Sequence, residues 1–195
     1  MEGSSKPPII LASSSPRRSN LLRDMGIDFS VQNSKVKEEY GFSDPCDLVL
    51  ENANLKARAV SMLNPNALVI GADTTVFMDG QFFHKPKDLN QAYEMLDALS
   101  GKRHQVYTGV NLQCYSMSWR RQFSTSSTVT FKKLSSKQIK AYIKVVNPLD
   151  KAGAYGIQNY RNIIIDSYSG SLSAIMGMPV ELLKENLNRL GYGVN

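Results

Sequence analysis

Cysteine is scarce in this 195-residue chain: Cys46 and Cys114 stand far apart and share no C-x-x-C spacing. That excludes a disulfide framework and a thiolate zinc site, so a reducing compartment is expected. Histidine is equally scarce. His84 and His104 share no ligand spacing, which gives little support to a hydrolase built on histidine. Long apolar runs are missing as well. Ile9-Ile10-Leu11-Ala12 follows Pro7-Pro8 instead of a basic segment and is too short for a signal-peptide core, and no stretch approaches a membrane span. A cytoplasmic protein is therefore expected, with residues 1–8 as a loose tail and 9–195 as one domain. There is no Walker phosphate loop, no G-x-G-x-x-G, no G-x-S-x-G, no zinc-protease helix and no internal repeat.

What is present is an ordinary globular composition, 42% hydrophobic and 21% charged, sufficient for a real core. Lys and Arg number 23 against 17 Asp and Glu, a formal charge of +6. Such a balance favours encounter with polyanions, whether nucleic acid, membrane surface or phosphorylated small molecule, without choosing among them.

Residues 8–12 read as a buried strand that runs into Ser13-Ser14-Ser15-Pro16-Arg17-Arg18, where Ser15 can cap a helix opened by Pro16 and closed at Gly26. A strand near 29–32 and a polar loop at 35–40 follow. Asp44-Pro45 opens a second helix, with Leu48, Val49, Ala53, Ala57 and Val60 at helical spacing, and Asn64-Pro65 closes it. The apolar run 67–70 predicts a strand that Gly71-Ala72-Asp73-Thr74 ends, which puts Asp73 at its carboxyl end. Asp79-Gly80 is the strongest hairpin signal, between 75–78 and 81–83. A helix over 89–99, capped by Asp88, should bury Leu89, Ala92, Tyr93, Leu96 and Leu99. Then come a long strand pair at 105–115 and 119–132, a helix capped by Ser135 with Gln138, a strand at 163–165, and a last helix after Met178-Pro179. Strands interleave with helices while hairpins demand antiparallel pairs, so the expected class is α/β with a mixed sheet.

Arg17 and Arg18 lie where backbone N–H groups and guanidinium forks can hold a phosphate together, and Ser13 and Ser15 add hydroxyls. A plain helix cap with solvated arginines is the alternative. Hydrolysis of a triphosphate calls for a divalent cation and a base that orients water. Asp73 is the first candidate and Glu38, in the polar loop, the second; a turn aspartate and a solvated Glu38–Glu39 pair are the ordinary readings. Lys56 on the second helix and Lys85, held extended by Pro86, are candidates for neutralising phosphate, with snorkelling as the rival for Lys56.

Taken in order, Leu11-Ala-Ser-Ser-Ser-Pro-Arg-Arg18, Gly71-Ala-Asp-Thr74, Lys85-Pro86, Leu99-Ser-Gly-Lys-Arg-His104, Thr108-Gly109, Asp150-Lys-Ala-Gly-Ala-Tyr-Gly-Ile-Gln158 and Gly177-Met-Pro179 resemble the Maf family of nucleotide pyrophosphatases, over Ile9 to about Leu187. The resemblance implies a fold like that of the inosine-triphosphate pyrophosphatases: a mixed, twisted, elongated sheet with flanking helices, in two lobes around a central nucleotide-binding cleft. It implies a divalent metal cation, Mg²⁺ or else Mn²⁺ or Co²⁺. By position, Asp73 matches the general base and, with Glu38, the metal site; Arg17 and Lys85 match phosphate contacts and Lys56 the helix lysine. Glu39 stays open beside Glu38.

Arg17, Thr74 and Gln158 resemble the branch that acts on dTTP, UTP and their modified forms, releasing the monophosphate and pyrophosphate in a house-cleaning role. Gln158 offers both a donor and an acceptor to a pyrimidine edge. Asn159-Tyr160 and Ser171-Leu172-Ser173 depart from the family pattern. The implied partner is a small nucleoside triphosphate, with no membrane and with a homodimer allowed. Nucleic acid is the weaker partner, because basic residues such as Arg120-Arg121 and Lys132-Lys133 are scattered and not interleaved with stacking aromatics. Two alternatives stay open: a sister specificity for 7-methyl-GTP, and a non-catalytic protein that binds nucleic acid or a division complex.

Overall fold

The computed structural model describes residues 6–194. Its elements are β1 (Ile9–Leu11), α1 (Pro16–Asp24), β2 (Ser30–Val31), α2 (Pro45–Leu63), β3 (Leu68–Met78), β4 (Gln81–Phe83), α3 (Leu89–Leu99), β5 (Arg103–Cys114), β6 (Trp119–Phe131), α4 (Ser136–Val145), a 3₁₀ turn (Ala152–Ala154), α5 (Arg161–Ile164), β7 (Ile165–Ser169), α6 (Leu172–Ile175) and α7 (Val180–Arg189). Strand neighbours follow β2-β1-β3-β5-β6-β7, with β4 also paired to β3. The pairs of β1 with β2 and β3 are parallel and those of β3 with β4 and β6 with β7 antiparallel, so the sheet is mixed, with helices packed on it.

The chain divides into two compact units, and β3, β5 and β6 contribute residues to both. The first comprises residues up to Asp73, Thr108–Thr125 and the segment from Gly177 onward. Its core unites Leu11, Leu22, Ile70, Leu112, Leu183 and Leu187, each completely buried or nearly so. A side chain of that size contributes about 1.5–3 kcal/mol when fully buried. A smaller cluster of Ile10, Ala57, Val60 and Val69 packs under α2. Lys6 to Pro8, expected as part of a loose tail, are tied down: the Tyr192 hydroxyl donates to the Pro7 carbonyl at 2.8 Å and Leu68 N to the Pro8 carbonyl at 2.9 Å. The rest of that expected tail, residues 1–5, lies outside the described residues.

Two glycines seat α2 in this unit. A Cβ on Gly71 of β3 would collide with the Ala53 carbonyl oxygen and lie 2.8 Å from the Ala57 Cβ. One on Gly109 of β5 would lie 2.7 Å from the Val49 carbonyl. Both separations are far inside van der Waals contact, so only glycine lets the helix backbone settle this close to the strands.

The second unit comprises Thr74–Tyr107 and Ser126–Met176. Val76, Leu96, Leu99, Val129, Phe131, Ile139, Tyr142 and Ile164 form its core. Asp79 and Gly80 both take positive φ, 51° and 79°, as a two-residue hairpin turn requires, and pair Phe77 opposite Phe82. Asp88 and Ser135 cap α3 and α4 as their spacing predicts, the latter with Gln138 in a full capping box.

Four expectations are corrected. Strand β3 does not end at Gly71 but runs on to Met78, because Gly71 is a close-approach glycine and not a terminator. Ser15 makes no side-chain cap to α1; its own N–H donates to the Ser13 hydroxyl instead. Leu89 is 53% exposed at the first turn of α3, where an apolar residue can face water without breaking the stripe. The strand foreseen at 163–165 is the short helix α5 followed by β7, with a register shift at Thr130/Phe131.

Candidate active site

Asp73 sits inside β3, two residues beyond Gly71 and therefore on the same face, the one covered by α2. The close seating of that helix brings two polar side chains of its buried face down onto the carboxylate. Lys56 Nζ lies 2.5 Å from Asp73 Oδ1 and 2.7 Å from Glu38 Oε1. Asn52 Nδ2 donates to Asp73 Oδ2 at 3.4 Å. Lys56, Asp73 and Asn52 are 8%, 7% and 2% exposed, so this is a buried charge cluster and not a surface ion pair. An ammonium so deeply removed from water is tolerable only because two carboxylates face it.

Glu38 comes from the polar loop between β2 and α2, where the Tyr40 hydroxyl donates to its Oε2 at 3.1 Å. Burial, followed by the charge and hydrogen bond of Glu38 and the charge of Asp73, pushes the Tyr40 phenol up to about 12. The loop is anchored by Asn52, whose Oδ1 accepts from Glu39 N at 2.7 Å while its Nδ2 donates to the Glu39 carbonyl at 3.0 Å. Of the two glutamates left open by the sequence, Glu38 is the one that reaches Lys56; Glu39 is held by its backbone.

The turn after β1 shares the electrostatic neighbourhood of the cluster through Arg18. The Ser13 hydroxyl, 7% exposed, accepts from Ser15 N at 3.2 Å and from Arg18 Nη1 at 3.1 Å. Arg18 Nε also donates to the Gly177 carbonyl at 2.9 Å, which pins α1 to the chain leading into α7. Burial lowers the Arg18 pKa, against the raising influence of Asp73; Arg17 lowers it further and Glu38 opposes. These mutual influences put Arg17, Arg18, Glu38 and Asp73 in one electrostatic neighbourhood. Pro16 starts α1 at this point, so the turn and the first N–H groups of a nine-residue helix border two arginines and two carboxylates.

The structure thus brings together Ser13, Glu38, Lys56 and Asp73 within the first unit, with Arg17 beside them. Thr74, Lys85 and Gln158 belong to the second unit. Thr74 follows Asp73 on β3 and so points to the opposite face of the strand. Lys85 is exposed just past β4, and Gln158 is exposed on the loop before α5, its Oε1 close against Gly156. Asn52, Tyr40 and Arg18 complete the cluster. Asn52 and Tyr40 were absent from the sequence-based candidates, although Asn52 falls on the apolar stripe of α2 one turn before Lys56, where a polar residue demands a partner.

Among the described residues no group of three His, Cys, Asp or Glu side chains is gathered as a protein-only metal site would require. Glu38 and Asp73 nevertheless present two hard carboxylate oxygens to one shared cation, the Lys56 ammonium. That donor set fits a divalent ion of the Mg²⁺ kind, which commonly takes one or two carboxylates and completes its shell with water and phosphate.

This chain belongs to the Maf family: the family described as Maf-like protein matches residues 8–190. Its relatives include the dTTP/UTP pyrophosphatase of Akkermansia muciniphila, 41% identical over 189 residues, covering 95% of this chain and 98% of that protein. That of Symbiobacterium thermophilum is 44% identical over 187 residues, covering 95% of each. That of Bacillus cytotoxicus is 41% identical over 187 residues, covering 95% of this chain and 97% of the other. The solved structure of the Staphylococcus aureus Ham1 protein overlaps 64% of this chain and 71% of its own at 17% identity and a TM-score of 0.47, a slight likeness that characterises neither fold nor site.

Proposed function

We propose that this protein is a nucleoside triphosphate pyrophosphatase that hydrolyses dTTP and UTP to the monophosphate and pyrophosphate. The observation that carries the reading is the buried Lys56–Asp73 pair with the half-buried Glu38, in one electrostatic neighbourhood with the Ser13–Arg18 turn, in a chain of the Maf family whose relatives bear that activity in their names. Anion-holding groups and paired carboxylates are what cleavage of a polyphosphate anhydride requires.

In this mechanism Arg17, the Ser13 hydroxyl and the N–H groups at the start of α1 hold the polyphosphate. Asp73 accepts the proton of a water aimed at the α-phosphorus, and pyrophosphate departs. Lys56 keeps the two carboxylates from repelling each other and, with Lys85, offsets charge growing on the leaving oxygens. A divalent cation held by Glu38 and Asp73, Mg²⁺ or in its place Mn²⁺ or Co²⁺, would supply charge neutralisation of the phosphates. Thr74 and Gln158 are assigned to substrate specificity, with Gln158 able to read a pyrimidine edge. No helix among the described residues is long and apolar enough to cross a membrane, and a cytoplasmic enzyme acting on a soluble nucleotide is the matching proposal.

The test is pyrophosphate release from a panel of dTTP, UTP, CTP and 7-methyl-GTP with Mg²⁺. Preference for dTTP and UTP supports the reading. Preference for 7-methyl-GTP transfers the protein to the sister specificity, and no release from any of them sinks the proposal.

A further inference from the structure

The loop between β2 and α2, residues 32–44, contains no helix or strand, yet it carries Glu38. Two successive loop residues are held by two rungs of α2 that lie one helical turn apart. On one rung, Lys56 Nζ bonds the Glu38 carboxylate at 2.7 Å and Asp73 Oδ1 at 2.5 Å. On the other, four residues earlier and so on the same helix face, Asn52 grips the peptide of Glu39 from both sides, at 2.7 Å through Oδ1 and 3.0 Å through Nδ2. The same Nδ2 lies 3.4 Å from Asp73 Oδ2. Each rung therefore ties the loop to β3 through a different oxygen of one aspartate.

The two rungs differ in kind. Lys56 reaches a side chain from a long flexible stem, whereas Asn52 holds backbone from a short one, at a donor and an acceptor together. A two-point grip on a peptide fixes its rotation as well as its position, and it acts whatever side chain residue 39 bears. Asparagine is suited to it by chemistry: aspartate supplies acceptors only and leucine neither group. At 2% exposure on an apolar helix face, an unsatisfied amide would be costly, and here both its oxygen and its nitrogen are used.

We infer that Asn52 is a positioning residue for the reaction: by clamping the Glu39 peptide it sets where the Glu38 carboxylate stands relative to Asp73, without itself touching substrate. The role rests on the pyrophosphatase reading above. The binding groups at the Ser13–Arg18 turn are not part of the clamp, so its loss should appear in kcat and leave KM little changed.

Asn52→Leu keeps the side-chain volume and removes both grips. Its Glu39 amide should exchange with solvent much faster than in the wild type, and kcat should fall about ten- to hundredfold, the scale of a misplacement near 1 Å. Asn52→Asp keeps an acceptor for the Glu39 N–H, so that amide stays protected while kcat still falls; this variant also serves if the leucine form does not fold. Wild-type kcat in either variant overturns the inference, as does a Glu39 amide still protected in Asn52→Leu, and so does a loss confined to KM. A wild-type protein that releases no pyrophosphate removes the reaction itself, whereas the exchange of the Glu39 amide decides the clamp independently, so the two failures are told apart.

Discussion

In the first unit Lys56 and Asp73, each less than a tenth exposed, are charged groups held 2.5 Å apart, with Glu38 and Asn52 closing the cluster. In the second unit His104, at 2% exposure, is just as deeply buried, yet its surroundings are Tyr155 and Phe131. Its Nε2 shares a hydrogen bond with the Tyr155 hydroxyl at 2.8 Å, and its Nδ1 has no partner among the described residues. Burial alone lowers its pKa to about 4. The contrast separates two uses of a buried ionisable group. Polar partners that compensate charge make a place where a substrate's charge can also be handled, whereas aromatic walls make a neutral packing residue.

The sharpest way to break this contrast is Asp73→Asn. It removes the proposed base while an amide of the same shape remains between Asn52 and Lys56, so turnover should fall by about 10²–10⁴-fold with the fold retained at a lower melting temperature, since Lys56 keeps only Glu38 as a charged partner. Steady-state pyrophosphate release together with a thermal melt checks both halves. Normal activity in that variant would take Asp73 out of the mechanism.

Lys56→Met should come next. Without the ammonium, Glu38 and Asp73 face each other as like charges with nothing between them, and breaking such a buried pair costs about 3–5 kcal/mol. Urea unfolding would register the loss, and activity should fall with it. The variant being as stable as the wild type would show that the carboxylates are hydrated and the cluster less dry than its exposure indicates.

For the second unit the prediction concerns pH. The unfolded chain takes up a proton on His104 near pH 6.5, and the folded chain only near pH 4. Folding stability from this group is therefore complete above about pH 6.5 and declines as pH falls toward 4, by roughly 3 kcal/mol in all. Denaturant midpoints at pH 4.5 and 7.5 for the wild type and His104→Phe would show it, since the variant should lose that part of the acid sensitivity. An unchanged slope with pH in the variant would mean that His104 is not held neutral. Pyrophosphate release at pH 7.5, by contrast, should be the same in both.

The smallest effects belong to the helix caps. Asp44 accepts from Cys46 N and Asp47 N, and Ser135 from Gln138 N. Replacing either with alanine should cost about 1 kcal/mol and leave turnover unaltered, because the working side chains of α2, Asn52 and Lys56, lie about two and three turns beyond its cap. A marked activity loss in Asp44→Ala alone would show that the rungs at Asn52 and Lys56 depend on how the helix begins.

Much of this architecture is legible in local sequence. The Asp79-Gly80 turn, the Asp88 and Ser135 caps and the apolar stripes of α2, α3 and α4 all follow from signals a few residues long, and each appears where its chemistry places it. Asp73, Lys56 and Glu38 were recognisable as candidates, Asp73 and Glu38 as partners in one metal site, but nothing in their spacing shows that a single ammonium, that of Lys56, joins both carboxylates. Gly71 misled because a glycine that ends a strand and one that admits a helix look alike until the helix is in place. Asn52 was passed over for a related reason: its partners lie 13 and 21 residues away, beyond any helical or strand period.

Most of the helices and strands, the family and the charged candidates Glu38, Lys56 and Asp73 were settled by the amino-acid sequence, because turns, caps and periodicity act between near neighbours. The pairing of Lys56 with both carboxylates, the backbone grip of Asn52 and the neutrality of His104 were settled only when strands from distant parts of the chain met. Solvation and charge coupling depend on what lies across space, and a linear order of residues does not contain that distance.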